Sequence, residues 1–227
     1  MKKQIMNSEK RNFDQEAAVW DENPSRVKLA QDIGNTVLKQ KIVTPDMDVM
    51  DFGCGTGLLT LQLQPLVHSI TGIDSSQGML DILNHKITNQ QLVNIKTKLI
   101  DVEQGQPLTG NYQLIVSSLT LHHIKEIKPL VAQFYQVITP GGFLSIADLD
   151  SDDGQFHENT AGVFHSGFDR AAMHKYFSEA GFNDIKATTA ASVMKPVLNQ
   201  GTRQFTVFLM TGRKRAQQVY KFNITKS

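Results

Sequence analysis

The sequence predicts an α/β fold: a doubly wound, mostly parallel sheet with helices on both faces. Three observations predict it. Between residues 48 and 149, short apolar runs alternate with stretches of helical periodicity, the pattern of repeated strand–helix–strand units. The first apolar run ends in a glycine-rich turn, "VMDFGCGTGLLT" (Val49 to Thr60), which places a ligand crevice at the carboxyl ends of the strands. The last two apolar runs, Ile185–Val193 and Phe205–Thr211, lie too close together for a crossover helix and so must form an antiparallel hairpin.

The elements follow in order. Residues 7–20 form a short helix with Phe13, Ala17 and Trp20 available to one face, broken by "DENPS". Ser25 caps a second helix with Val27, Ala30, Ile33 and Val37 at helical spacing. After "VTPD" come a strand at Asp48–Phe52, a helix at Gly57–Pro65, a strand at Ser69–Asp74 and a helix at Ser76–Lys86. A third strand spans Asn94–Asp101, a fourth Tyr112–Leu119, and a helix Lys125–Ile138 ends at "TPGG" before a strand at Gly142–Leu149. The polar, glycine-bearing stretch Asp150–Phe168 is long enough to be a lid.

Composition narrows the class. Forty per cent apolar residues suffice for a sizeable core. With 23 basic and 22 acidic residues, the net charge of +1 gives no global attraction to nucleic acid or membrane. The single cysteine, Cys54, cannot form an internal disulfide, and nothing near it would make it a thiolate. "MKKQIMNSEKRNFDQE" has no apolar core of a signal peptide, and no run is long enough for a bilayer span, so a cytoplasmic protein is expected. The basic cluster Arg213–Arg215 reads as a solvated strand end.

The flanks of the glycine loop decide its ligand. No Lys–Ser/Thr pair follows Gly57, which argues against a nucleoside triphosphate. The last two glycines are spaced by two rather than three, unlike a dinucleotide fingerprint. Asp51, two residues before Gly53, repels a pyrophosphate and attracts an ammonium group. Asp74, at the second strand end, suits ribose hydroxyls, and Asp101, at the third, suits an exocyclic amine. Nothing nearby supplies an arginine or lysine to neutralise a phosphate. An ammonium partner, a ribose partner and an adenine partner describe S-adenosylmethionine better than a dinucleotide.

"VMDFGCGTG", "GIDSS", "LIDVE", "YQLIVSSLTLHHI" and "PGG" together resemble the motifs of class I S-adenosylmethionine-dependent methyltransferases, from about Asn12 to Lys214. The resemblance implies a Rossmann-like seven-stranded sheet of order 3-2-1-4-5-7-6 with strand 7 antiparallel. It implies that Gly53, Gly55 and Gly57 face the methionine side of the cofactor, that Asp74 takes the ribose, and that Asp101 with Val102 takes the adenine. The backbone near Ser117 would hold the ammonium, and Ser75 and Met79 join the same cofactor site. Trp20 would close over the methionine side or pack in the core. Residues 1–24 are expected as a helical lid segment and residues 25–227 as one methyltransferase domain with a lid insertion at 151–168.

The expected reaction is direct in-line transfer of a methyl group to a small-molecule acceptor, leaving S-adenosylhomocysteine. The fourth strand ends "SSLTLHH", without the Asn/Asp-Pro-Pro-aromatic motif of the enzymes that act on adenine or glutamine nitrogen. His122 and His123 follow that strand, where an acceptor arrives; either could act as a general base, and His122 is the one taken as the candidate. His165, at the far end of the lid, is the candidate for orienting the acceptor. His157, Glu158, His165 and Asp169 lack a compact metal spacing, so no metal is expected. The run Asp148, Asp150, Asp152, Asp153 reads as a solvated loop. Two other classes stay open: a non-catalytic cofactor-binding protein of the same fold, and a nicotinamide oxidoreductase. A homodimer is an open arrangement, and no membrane or nucleic-acid partner is expected.

Overall fold

The computed structural model describes residues 11–157, 159–197 and 201–216. Seven strands form one sheet: β1 (Asp48–Phe52), β2 (Ser69–Asp74), β3 (Ile95–Leu99), β4 (Tyr112–Ser118), β5 (Ile138–Leu149), β6 (Asn183–Val197) and β7 (Gly201–Arg213). Their spatial order is β3-β2-β1-β4-β5-β7-β6. The first five pair in parallel, and β7 runs antiparallel to both β5 and β6. The expected order and the antiparallel seventh strand are both present.

Helices cover both faces. α5 (Ile127–Val137) and α6 (Arg170–Ala180) bury Leu130, Val131, Phe134, Met173 and Phe177 against Met50, Ile115 and Phe208. On the other face α2 (Pro24–Lys39) and α3 (Leu58–Leu63) bury Leu29, Ile33, Val37, Leu59 and Leu63 against Val49, Ile70 and Leu114. α4 (Gln77–Asn89) follows β2 and buries Met79, Leu80 and Leu83. The central strands are buried on both faces, which is why they read as continuous apolar runs.

Several expectations need correction. α2 is capped by Asn23, whose side chain accepts from the backbone of Ser25 and Arg26, and not by Ser25. Pro24 occupies the first helical turn, where its missing N–H costs nothing, and that fixes the start two residues earlier. The first helix divides into α1 (Phe13–Glu16) and a 3-10 segment, Ala17–Glu22, so it runs past "DE"; residues 7–10 lie outside the described residues. "TPGG" belongs to β5 and does not end a helix loop: Ile138 pairs with Tyr112, and the register shifts before Leu114 meets Phe143. α6 is absent from the sequence reading. Asp169 caps it, and Gly181, in the left-handed region, ends it. The hairpin also extends further than its apolar runs, to the pair Val197–Gly201, because the outer half of β6 is partly exposed and carries polar residues.

Candidate functional site

A cavity of about 710 Å³ opens at the carboxyl ends of β1, β2 and β4, beside the point where the strand order reverses between β1 and β4. Its size is that of a site for a cofactor or small molecule. The N-terminal segment, α2, the loop after β3 and the stretch 156–164 complete its walls.

The glycine turn forms the floor. Gly53 and Gly55 both have positive φ, 71° and 54°, and both line the cavity. A side chain at Gly53 would collide with Thr120, so the turn and the end of β4 approach closely. The Gly55 amide donates to Asp74 Oδ2 at 2.8 Å, and the Ser76 amide donates to Asp74 Oδ1 at 2.9 Å. Asp74 thus braces the turn while its carboxylate lines the cavity; Ser76, not Asp74, caps α4. Gly57 is not in the wall. It starts α3 at φ 88°, and a side chain there would strike Leu83.

Asp51 is buried, and its Oδ2 accepts from the Thr60 hydroxyl at 2.6 Å. Burial, with the nearby Asp74 charge adding to it, pushes its carboxyl up to about 7. Asp74 is raised too, chiefly by burial. Two carboxyl groups whose ionised forms are disfavoured line one wall, which a cationic ligand would relieve. Asp101 caps a turn by accepting from the Glu103 amide and from Gln104 Nε2, and lines the cavity with Val102. Ser75, Met79 and Trp20 are also in the wall. Ser117 is not: its hydroxyl donates to Phe52 O, and its neighbours Ser118 and Leu119 face the cavity. Trp20 stacks edge-on to Phe13 and lies 3.9 Å under the Arg26 guanidinium. Cys54 is buried with its thiol pushed well up by burial, consistent with a filler role.

The two histidines after β4 divide. His122 Nδ1 lies 2.7 Å from Asp148 Oδ1, and the His122 amide donates to Asp148 Oδ2. Asp148 is fully buried, and although burial alone would raise its carboxyl, its interactions with His122 and its bond from the Leu149 amide together hold it below the usual range. An ionised carboxylate only accepts, so Nδ1 carries the hydrogen and Nε2 is left as the basic nitrogen. His123 Nδ1 meets the Gly162 carbonyl at 2.7 Å, and burial pushes its pKa down to about 3. His165 does not reach the cavity. Its Nε2 meets the carbonyl of Ile124 at 2.9 Å, and its ring lies on Phe168.

The acidic run after β5 is not a solvated loop. Asp148 pairs with His122; Asp150 takes the Arg170 guanidinium at 2.6 and 2.7 Å; Asp152 accepts from the Gly154 and Phe156 amides; and Asp153 pairs with Arg203. Four cationic side chains, Arg11, Arg26, Lys125 and Lys195, line the cavity, contrary to the expectation of none nearby. They arrive from distant parts of the chain, so no local pattern reveals them. His157 also lines it, and only the tertiary course of the lid brings it there. Asp169 caps α6, Glu158 lies outside the described residues, and among those residues no group of three or more His, Cys, Asp or Glu suits a metal ion. Arg213, Lys214 and Arg215 spend their donors on Gly141, Tyr135, Ile138 and Asn183. No described helix is long and apolar enough to cross a membrane.

Residues 49–142 match the family described as methyltransferase domain. An uncharacterized methyltransferase of Schizosaccharomyces pombe is 29% identical over 155 residues, covering 62% of this chain and 55% of its own. Trans-aconitate 2-methyltransferase of Deinococcus radiodurans is 34% identical over 115 residues, covering 50% of this chain and 42% of its own. The chain spans about half the length of the curated relatives it matches. Among solved structures, phosphoethanolamine N-methyltransferase 2 of Haemonchus contortus, in complex with S-adenosyl-L-methionine, superposes with a TM-score of 0.66 at 14% identity, covering 90% of this chain and 60% of that one. At that identity the likeness shows the fold.

Proposed function

We propose, for a chain that belongs to the class I S-adenosylmethionine-dependent methyltransferases, that it transfers a methyl group from that cofactor to a small-molecule acceptor, with His122 as general base. The observation that carries this reading is the placement of Asp51, Asp74 and Asp101 on one wall of the cavity, with His122, held from behind by the buried Asp148, in the same lining.

The residues suit the cofactor by their chemistry. Asp74 keeps unused acceptor capacity for ribose hydroxyls beyond its two backbone bonds. Asp101 and Val102 frame the adenine, and Ser75 and Met79 flank the ribose side. Gly53 and Gly55 let the backbone approach the methionine portion, and the backbone at Ser118 and Leu119, in the same lining, would hold its ammonium. Asp51, held by Thr60, supplies negative field behind the turn. Gly57 supports this surface from behind through Leu83. Bound there, the cofactor supplies an electrophilic methyl group on a sulfonium.

The chain's own part is alignment, water exclusion and proton removal. Asp148 fixes the His122 tautomer, so Nε2 receives the acceptor's proton as the nucleophile is methylated. The N-terminal segment, with Trp20, and the 151–168 stretch act as lids over the rest of the domain. Calorimetry with S-adenosylhomocysteine in chelator, followed by incorporation of labelled methyl into a metabolite panel, tests the reading. Binding is expected without a divalent ion. Binding of NAD in its place would return the oxidoreductase; cofactor binding with no transfer to any acceptor would favour a regulatory role.

A further inference from the structure

The polar side chains of the 151–168 stretch and its neighbours mostly find partners inside the chain. Asp152 caps two amides, His123 and His165 lie on carbonyls, and Lys195 donates to the Phe156 carbonyl at 2.7 Å. His157 Nε2 is different: it is buried and has no hydrogen-bond partner. A buried polar atom left unpaired costs about 1–3 kcal/mol, so its persistence on a cavity wall points to a partner that arrives from the cavity. Its ring lies 4.8 Å from that of His122 and 6.2 Å from that of His123, beside the candidate base.

The charges around it have a sign. The acids of the wall, Asp51, Asp74 and Asp101, sit at the ends of β1, β2 and β3. The cations come from the N-terminal segment, α2, the turn after β4, and β6. Arg11 is bound by Glu16 at 2.7 and 2.5 Å, and Arg26 reaches the same carboxylate at 3.8 Å, so two guanidiniums share one carboxylate. Burial first, and then nearby positive charge that includes Lys195 and Arg11, push the His157 imidazole down to about 3. It is therefore a neutral ring in a positive field, able to donate one hydrogen bond.

We propose that His157 is an acceptor-binding residue and that the group it receives is the carboxylate of an anionic acceptor. This rests on the reading of the cavity as a methyl-transfer site. A carboxylate oxygen accepts from His157 Nε2–H while the surplus positive charge of the Arg11–Glu16–Arg26 cluster balances it. The acceptor's nucleophilic atom then lies within reach of His122, because the two imidazoles adjoin.

The test uses matched probes: benzoate with benzamide, phenylacetate with phenylacetamide, and malonate with malonamide. Each is titrated by calorimetry into the full chain saturated with S-adenosylhomocysteine, and into the chain without it. At least one acid is expected to bind about tenfold more tightly than its amide, the size of one hydrogen bond to a charged group. His157→Phe should remove that preference and leave S-adenosylhomocysteine affinity within about twofold, while His157→Gln, which keeps a donor, should retain most of it. No preference for an acid in any pair overturns the proposal. So does a preference that survives in His157→Phe. A third overturning result is loss confined to S-adenosylhomocysteine affinity in Arg11→Gln, with acid binding unchanged, because the positive field would then serve the cofactor's own carboxylate. Failure of S-adenosylhomocysteine to bind the wild type counts against methyl transfer, and the acid–amide comparison without it still decides the role of His157.

Discussion

Asp51→Asn separates stability from binding at one buried atom. The Asp51 carboxyl rises from 3.8 to about 7 on folding, chiefly through burial. Below about pH 4 both states are neutral and the group costs nothing. Between about pH 4 and 7 the unfolded chain ionises alone, so the folded state loses stability as pH rises, and above about 7 the full penalty applies. Roughly three pKa units at about 1.4 kcal/mol each give about 4 kcal/mol. Asparagine removes the charge and still offers Thr60 an oxygen to donate to. The unliganded variant is therefore expected to be more stable than wild type at pH 8, with the gap widening by roughly 3 kcal/mol between pH 5 and 8 in urea unfolding. Binding should respond oppositely. A ligand ammonium favours the ionised carboxylate, so wild-type affinity for S-adenosylhomocysteine rises with pH through about 7 and then levels, with proton release on binding. Asp51→Asn should bind more weakly and lose that pH step. A stability gap independent of pH, or an unchanged pH step in the variant, would refute the argument.

Three further outcomes concern the site and the residues around it. Asp74→Ala should weaken S-adenosylhomocysteine at least about tenfold by calorimetry, beyond any loss of fold seen by circular dichroism, because a charged acceptor for the ribose is gone. Asp148→Asn should lower turnover by about 10²-fold or more at unchanged cofactor affinity, since an amide no longer specifies the Nδ1–H tautomer of His122; equal turnover would remove the histidine from the chemistry. His165→Ala should cost about 1 kcal/mol of stability through its lost bond to Ile124 O, and change turnover by much less than His122→Ala does; the reverse order would restore His165 to the acceptor.

The fold was legible because the signals were local. Strands buried on both faces are continuous apolar runs, and the short link between Val193 and Phe205 leaves a hairpin as the only geometry. α6 carries an equally local signal, a capping Asp169, apolar Met173 and Phe177 four apart, and Gly181, but its polar remainder hid it behind the lid. On the cofactor side, Asp51, Asp74 and Asp101 each end a strand, and strand ends of a parallel sheet converge whatever the intervening sequence. The side proposed for the acceptor was not legible. Arg11, Arg26, His157 and Lys195 line one cavity only because the N-terminal segment, α2, the 156–164 stretch and β6 surround the same opening. Asp148 misled for a related reason. Its carboxylate follows an apolar strand into a run of acids, and only burial beside His122 distinguishes it from its solvent-facing neighbour Asp153.

The adjacent histidines show how one local geometry assigns two roles. Leu121–His123 form a 3-10 turn, whose successive side chains point about 120° apart. One imidazole is thereby turned to Asp148 on β5, and the next to the Gly162 carbonyl on the lid. The same turn also receives the lid backbone, because the Phe164 amide donates to the His122 carbonyl at 2.9 Å. The candidate base is therefore built into the lid's docking site. A displaced lid would take away His157 and the bonds that seat the His122 turn together. Under the proposed mechanism, water exclusion, acceptor contact and proton removal would all depend on this one joint.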